Sequence, residues 1–303
     1  MTDRTRVDEF LSSLIAICRP LEPFDMALLD AHGATLAEDI YAGERLVLKA
    51  GSRIRSTQIG LAASIGRDHL PTRPHPRVVV LSAGPDLVEP GNELKEGEEY
   101  ETNSWLLTTA VREVGAVAYR VHTIPDDEAQ LKDVIEDQLV RADLIIISGE
   151  RKDDSFDLIT RTLAAMGEIT TVDIAIESSG RHNYGVIGPD RTPVVTLPGD
   201  PVAAYISFEL FIRPMIRTML GTATIHRPSL KAKLEKAITS TSGVRSYVRA
   251  VLSEDGKSVT PLSSQDEQAT LSDANSLIAI SESEINLSVG DSVTVVVLER
   301  RYI

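Results

Sequence analysis

The sequence predicts an α/β fold: a central, mostly parallel sheet, preceded by a helical and β N-terminal region and followed by a small all-β domain. Three observations carry this reading. From Arg77 to Gly221, short apolar runs alternate with longer runs of helical periodicity. After Gly221 the pattern changes to short β-like segments. Before Arg77 lies a polar, proline-rich segment, Arg67 to Pro76, which marks a boundary. The expected units are therefore residues 1–75, 76–222 and 223–303.

The first unit opens with Val7, Phe10, Leu11, Leu14, Ile15 and Cys18 at helical spacing, stopped by Arg19-Pro20. A second short helix is expected over Phe24 to Ala31, closed by Gly33. Residues 43–66 alternate apolar runs with glycines and read as one or two strands and a helix from about Ser56.

Three strand–helix units follow. Arg77 to Leu81 leads through a loop and a polar stretch to a helix from Asn103 that closes on Gly115. Val117 to His122 is followed by Pro125-Asp126-Asp127 and a helix using Leu131, Val134, Ile135 and Leu139. Asp143 to Ile147 leads through Ser148-Gly149-Glu150 to a helix ending at Gly167. A fourth strand, Val194 to Leu197, runs into Pro198-Gly199-Asp200-Pro201 and a long helix stopped by Gly221. Asp200 is the N-cap candidate and Pro201 suits the first helical position. Phe208 and Phe211 on that helix read as core. A strand, a tight turn and a helix N-terminus form a place where backbone N–H groups can face an anion. In sheets of this kind ligands sit outside the carboxyl ends of the strands, so the loops starting at Ser82, Ser148 and Pro198 should converge there. Beyond Gly221, the runs 230–238, 246–252, 258–262, 276–280 and 292–298 are short and β-like, and Glu254-Asp255-Gly256 is a hairpin signal.

Composition narrows the function. A net charge of −14 argues against nucleic acid or an anionic membrane surface as the main partner. The one cysteine, Cys18, falls on an apolar stripe and can form neither a disulfide framework nor a cysteine-based zinc site. The six histidines show no metal-ligand spacing. The first residues, MTDRTRVDEF, lack the apolar centre of a signal peptide, and no apolar stretch is long enough to span a bilayer, so a cytoplasmic location is expected.

Several loops taken together resemble the molybdopterin molybdenumtransferase family, the MoeA proteins and the gephyrin E domain. The segments are Ser82-Ala83-Gly84-Pro85-Asp86-Leu87, Tyr100-Glu101-Thr102-Asn103, Ile147 through Asp157, Glu177 to Arg181, and Leu197-Pro198-Gly199-Asp200-Pro201-Val202-Ala203-Ala204. They stand in the order of the family segments STGDEL, YDSN, TSGGVSVGDYD, KPGKP and LPGNPVSA. The resemblance covers nearly the whole chain. It implies an elongated homodimer, and a substrate site for an anionic pterin dithiolene into which molybdate is inserted. By the same resemblance, Ser82, Gly84, Ser148, Gly149, Arg181, Pro198, Gly199, Asp200 and Pro201 are remnants of the anion-binding loops. Asp86 and Asp157 are remnants of the family's acids.

The chain departs from the family pattern. Ser155 replaces the first acid of GDYD, Pro85 the acid before Asp86, and Glu150 the second glycine of SGG. The KPGKP lysines correspond to Glu177 and Gly180, and Gly149 to Asp157 holds two basic residues against four acidic ones. The family's inserted domain is missing near Ile40 to Glu44. These losses favour a catalytically degenerate dimeric adaptor with no cofactor, which grips a peptide tail between the α/β and β domains. The actinobacterial gephyrin-like cell-division proteins are similar, and they make the FtsZ C-terminal tail and a membrane receptor the candidate partners. Tyr247 and Arg249, on one face of a β-domain strand, are the candidate peptide contacts. The alternative is a working molybdopterin molybdenumtransferase, with molybdate, Mg and adenylylated molybdopterin as substrates.

Overall fold

The computed structural model of the protein describes residues 4–84, 86–124, 127–149, 153–177, 180–264 and 266–299. Pro85 and Glu150, two of the departures read from the sequence, lie outside these residues.

A six-stranded sheet organises the molecule, in the order Gly167–Asp173, Arg181–Ile187, Thr192–Leu197, Leu144–Ser148, Arg77–Ala83, Val117–Ile124. The last four pair in parallel, as the alternation of strands and helices predicts. The Gly167–Asp173 and Arg181–Ile187 strands form an antiparallel hairpin that extends the sheet beyond the expected strands. Both faces of the sheet are covered. Val78, Val80, Leu144, Ile146, Val195 and Leu197 face one helical layer. Val79, Leu81, Ile145, Ile147 and Val194 face the other. This explains why the central strands are continuous apolar runs and do not alternate with polar residues.

The first helix, Val7–Ala16, belongs to this core and not with the rest of residues 1–75. Val7, Phe10 and Leu14 pack with the sheet, and Cys18 joins them, 8% exposed. Burial pushes the Cys18 thiol up to about 12, so it is an inert core residue. The helix expected over Phe24 to Ala31 is instead a strand, Phe24–Ala27, and a run of turns. The reason is tertiary: this strand pairs along its length with His69–Arg73, which lies inside the segment expected to be a linker. The boundary therefore falls between Arg73 and Arg77. The Ser56–Ser64 helix starts where expected, but its cap is Arg55, whose backbone N–H donates to Gln58 Oε1 at 3.2 Å. Where the resemblance implies an inserted domain, Ile40–Ala42 and Arg45–Leu48 pair directly as a hairpin. Its tip includes Gly43, whose φ of 62° suits a tight reversal that other residues resist.

The last unit is a closed barrel of Ser229–Leu234, Ser258–Pro261, Ser246–Leu252, Ser276–Ile280 and Ser292–Val297. It carries one helix that the sequence reading lacks, Glu267–Asp273, capped by Asp266 and packed toward the long helix of the α/β unit. That long helix runs from Pro201 to Met219 with a π-helical turn at Phe208–Ile212. Phe208 and Phe211 are completely buried, as expected.

Candidate functional site

Three of the parallel strands end side by side, and their loops meet there. A cleft of about 480 Å³ opens at these ends. Of the residues singled out in the sequence, it is lined by Ser82, Asp86, Gly149, Gly199 and Pro201. Gln268, from the barrel's helix, reaches it from the other domain.

Asn103 ties the loops together. Its Nδ2 donates to Ser148 Oγ at 2.7 Å and to the Gly199 carbonyl at 2.8 Å. Ser148 Oγ in turn donates to the Pro198 carbonyl at 3.1 Å. Asn103 is only 7% exposed, yet its Oδ1 accepts no hydrogen bond. A buried acceptor without a donor costs on the order of 1–3 kcal/mol, so a ligand N–H or O–H is favoured at that point.

Beside it, Glu101 is buried and engaged. It accepts from the Ser104 backbone N–H at 2.8 Å and from Arg120 Nη2 at 3.2 Å. Arg120 also pairs with Glu89, donates to Ser104 Oγ at 2.6 Å and lies over the Trp105 ring at 4.1 Å. This network fixes the Tyr100–Asn103 turn. The remaining charged groups of the lining are Asp86 and Glu99, so among the described residues the wall presents acceptors and no lysine or arginine. Sequence reasoning quoted Glu101 and Asn103 within the Tyr100–Asn103 segment but gave them no role. Arg120 it missed altogether; a lone charge inside the apolar run Val117 to Val121 was the available signal.

The other predicted residues are placed differently. Gly84 is buried beneath the strand end and does not line the cleft. Asp157 and Arg181 are also outside it: they face each other at 3.9 Å, and Arg181 lies over the Phe156 ring at 4.6 Å. Arg181 opens a strand on the flank of the sheet, which carries this pair away from the Asn103 side. Asp200 caps its helix by accepting from the Ala203 N–H at 2.9 Å and lines a second, neighbouring crevice.

That crevice, about 300 Å³, lies between the α/β unit and the barrel. Val202, Ala203 and Ile206 form its apolar wall, and Tyr247 and Arg249 line it together with Val248 between them. Arg249 is held by Glu267, donating to its carbonyl at 3.0 Å and pairing with its carboxylate at 3.6 Å. Glu177 also lines the crevice and accepts from Thr241 at 3.1 Å. The charge reversal read at Glu177 therefore acts on the crevice and not on the cleft. Among the described residues no three His, Cys, Asp or Glu side chains gather as a metal set, and Glu101 is already committed to Ser104 and Arg120. This donor set does not fit a resident divalent cation.

Comparison with known proteins agrees with this geometry. Residues 87–218 match the model for a probable molybdopterin binding domain, and residues 231–298 match the MoeA C-terminal region (domain IV). The chain belongs to the MoeA family. It is 34% identical over 272 residues to molybdopterin molybdenumtransferase 2 of Mycobacterium tuberculosis, covering 87% of this chain and 66% of that protein. It is 30% identical over 277 residues to molybdopterin molybdenumtransferase 1 of the same organism, covering 88% and 65%. It thus spans somewhat under two thirds of the length of these relatives. A MoeA protein from Pyrococcus horikoshii shares the fold, with a TM-score of 0.85 at 21% identity over 98% of this chain and 100% of that one. The cleft lies at the meeting point of the family's molybdopterin-binding and C-terminal domains.

Proposed function

We propose that the cleft binds a molybdopterin-type substrate by its pterin end and that the chain takes part in molybdenum insertion, the activity for which its relatives are named. The observation that carries this reading is the chemistry of the wall. Asn103 Oδ1 is a buried, unused acceptor, and Asp86 and Glu99 add carboxylates beside it. A pterin ring offers an edge of N–H donors, which such a wall matches, whereas its phosphate does not suit these acids. The losses at Glu177 and Gly180 weigh less against this reading than the sequence implied, because neither lines the cleft. The relatives' names likewise favour insertion over the adaptor reading.

The test is calorimetric titration of the chain with molybdopterin and with its adenylylated form. Micromolar binding is expected, weakened about tenfold by Asp86→Asn, a loss of about 1.4 kcal/mol. A folded protein that binds neither form would sink the proposal.

A second reading rests on the crevice. Tyr247 and Arg249 beside an apolar wall suit a short peptide tail, with the FtsZ C-terminal tail and a membrane receptor as candidate sources. A homodimer would present two such crevices and gain avidity for a polymer. Peptide binding abolished by Arg249→Ala, with no pterin binding, would put this reading first.

A further inference from the structure

Far from the cleft, this acidic chain gathers arginines. Arg213 and Arg217 stand one turn apart near the end of the long helix. Arg227 follows in the connection to the barrel, and Arg53 comes from the N-terminal unit. Pro201, at the cleft, is 16 residues before Arg217 along the helix, roughly 24 Å at 1.5 Å per residue.

Their partners are too few. Glu209 is 4% exposed, and Arg227 occupies both of its oxygens, with Nε at 2.6 Å and Nη2 at 2.8 Å. Arg213 Nε lies 3.9 Å from the same carboxylate, beyond hydrogen-bonding distance, and is buried with no hydrogen-bond partner. Arg217 donates to the Thr224 carbonyl at 2.6 Å and to the Thr224 hydroxyl at 3.4 Å. Among the described residues no carboxylate pairs with Arg217 or Arg53. Glu113 is the other carboxylate acting on Arg227.

Burial first, and then the charge of Arg227, lower the affinity of the Arg213 and Arg217 guanidiniums for their protons; Arg53 adds to this at Arg217. Desolvated like charges destabilise a fold unless a counter-ion joins them. Ordinary structural arginines would saturate backbone carbonyls and stop there, as Arg217 does at Thr224. They would not leave a shielded Nε empty beside an already occupied carboxylate.

We infer that the Arg53, Arg213, Arg217 and Arg227 cluster is a binding site for a compact tetrahedral oxyanion of the phosphate class. Arg213 and Arg227 flank the same carboxylate and Arg217 stands one helical turn from Arg213, so several guanidinium groups can meet several oxygens at once, and guanidinium–phosphate pairs are strongly directional. Occupancy would also bind the N-terminal unit, the long helix and the barrel connection to one another. The inference is independent of what the cleft holds.

The test is calorimetry of the full chain with sodium phosphate against sodium chloride at matched ionic strength, with thermal unfolding in parallel. Phosphate should give saturable heat and raise the melting temperature. Both responses should weaken about tenfold in Arg217→Gln, the loss of about one charge-assisted pair. The exposed Arg53→Gln gives the decision if Arg217→Gln does not fold. Asn103→Ala, altered only in the cleft, should respond as the unaltered chain does. Phosphate acting no more than chloride, or a response that persists in the arginine variants, would overturn the inference. A response lost in Asn103→Ala would overturn it as well, by assigning the phosphate to the cleft.

Discussion

His182 is a residue whose chemistry is set entirely by its surroundings. It is completely buried against Phe10 and Phe211, and its Nδ1 lies 2.8 Å from the Thr196 carbonyl, which makes that nitrogen the donor. Burial lowers its pKa from 6.5 to about 4. The folded protein therefore holds it neutral, while the unfolded chain takes up a proton below pH 6.5. Stability should be independent of this group above about pH 6.5 and fall as the pH drops toward 4, by on the order of 3 kcal/mol. Asn at this position keeps an N–H donor and cannot titrate. Urea unfolding between pH 7.5 and 4.5 should show a shallower loss in His182→Asn than in the unaltered chain; equal slopes would refute the assignment. At the same scale the sequence was informative for Asp86 and Pro201, whose motif positions put them on the cleft. It was silent about Glu101 and Arg120, because only the fold brings a turn and a strand interior into one network.

Among the elements, the strand–turn–helix at Val194 to Met219 was the most legible. Its apolar strand, turn residues and Asp200-Pro201 cap are local signals, and all of them appear in the structure. Removing the cap in Asp200→Ala should cost about 1 kcal/mol in a denaturant titration, since one helix-end N–H loses its acceptor. A loss near zero would mean that tertiary packing alone holds the turn. The Arg181–Ile187 strand was not legible. Its polar residues His182 and Asn183 are fully buried, Asn183 by bonding Thr160 at 2.8 Å and Thr171 at 2.6 Å, so the strand does not alternate as an exposed edge would. Gly185 in the same strand allows a close crossing: a Cβ there would meet the Glu168 carbonyl oxygen at 1.9 Å. Gly185→Ala should therefore loosen the hairpin and lower the melting temperature by several degrees. An unchanged melting temperature would show that the hairpin can shift freely.

For the molecule as a whole, the junction between the α/β unit and the barrel rests on Arg227. It joins Glu209 to the Leu298 carbonyl at 2.6 Å, so one side chain links the long helix to the last barrel strand's end. Arg227→Ala would strip the buried Glu209 of both hydrogen bonds from that side chain and leave Arg213 Nε at 3.9 Å beside it, at a cost of about 1–3 kcal/mol. Unfolding monitored separately for the two units should then lose its single transition; retention of one cooperative transition at the original midpoint would contradict this account. No helix among the described residues is long and apolar enough to cross a membrane.

Local physics is what the sequence determined without help. Apolar runs long enough for buried strands, helical stripes between them, caps and glycine turns fixed the α/β class, the barrel-forming tail and the three loops that meet at the cleft. These features act over a few residues, so the chain displays them in linear order. Tertiary structure decided the rest. Pairing with His69–Arg73 made Phe24–Ala27 a strand, and burial on the sheet drew the first helix into the central core. The lateral place of the Arg181–Ile187 strand, outside the four parallel strands, set Arg181 and Asp157 to the side of the cleft. Each of these depends on which distant segment supplies hydrogen bonds and apolar contact, and that is a property of the folded chain, not of any stretch of its sequence.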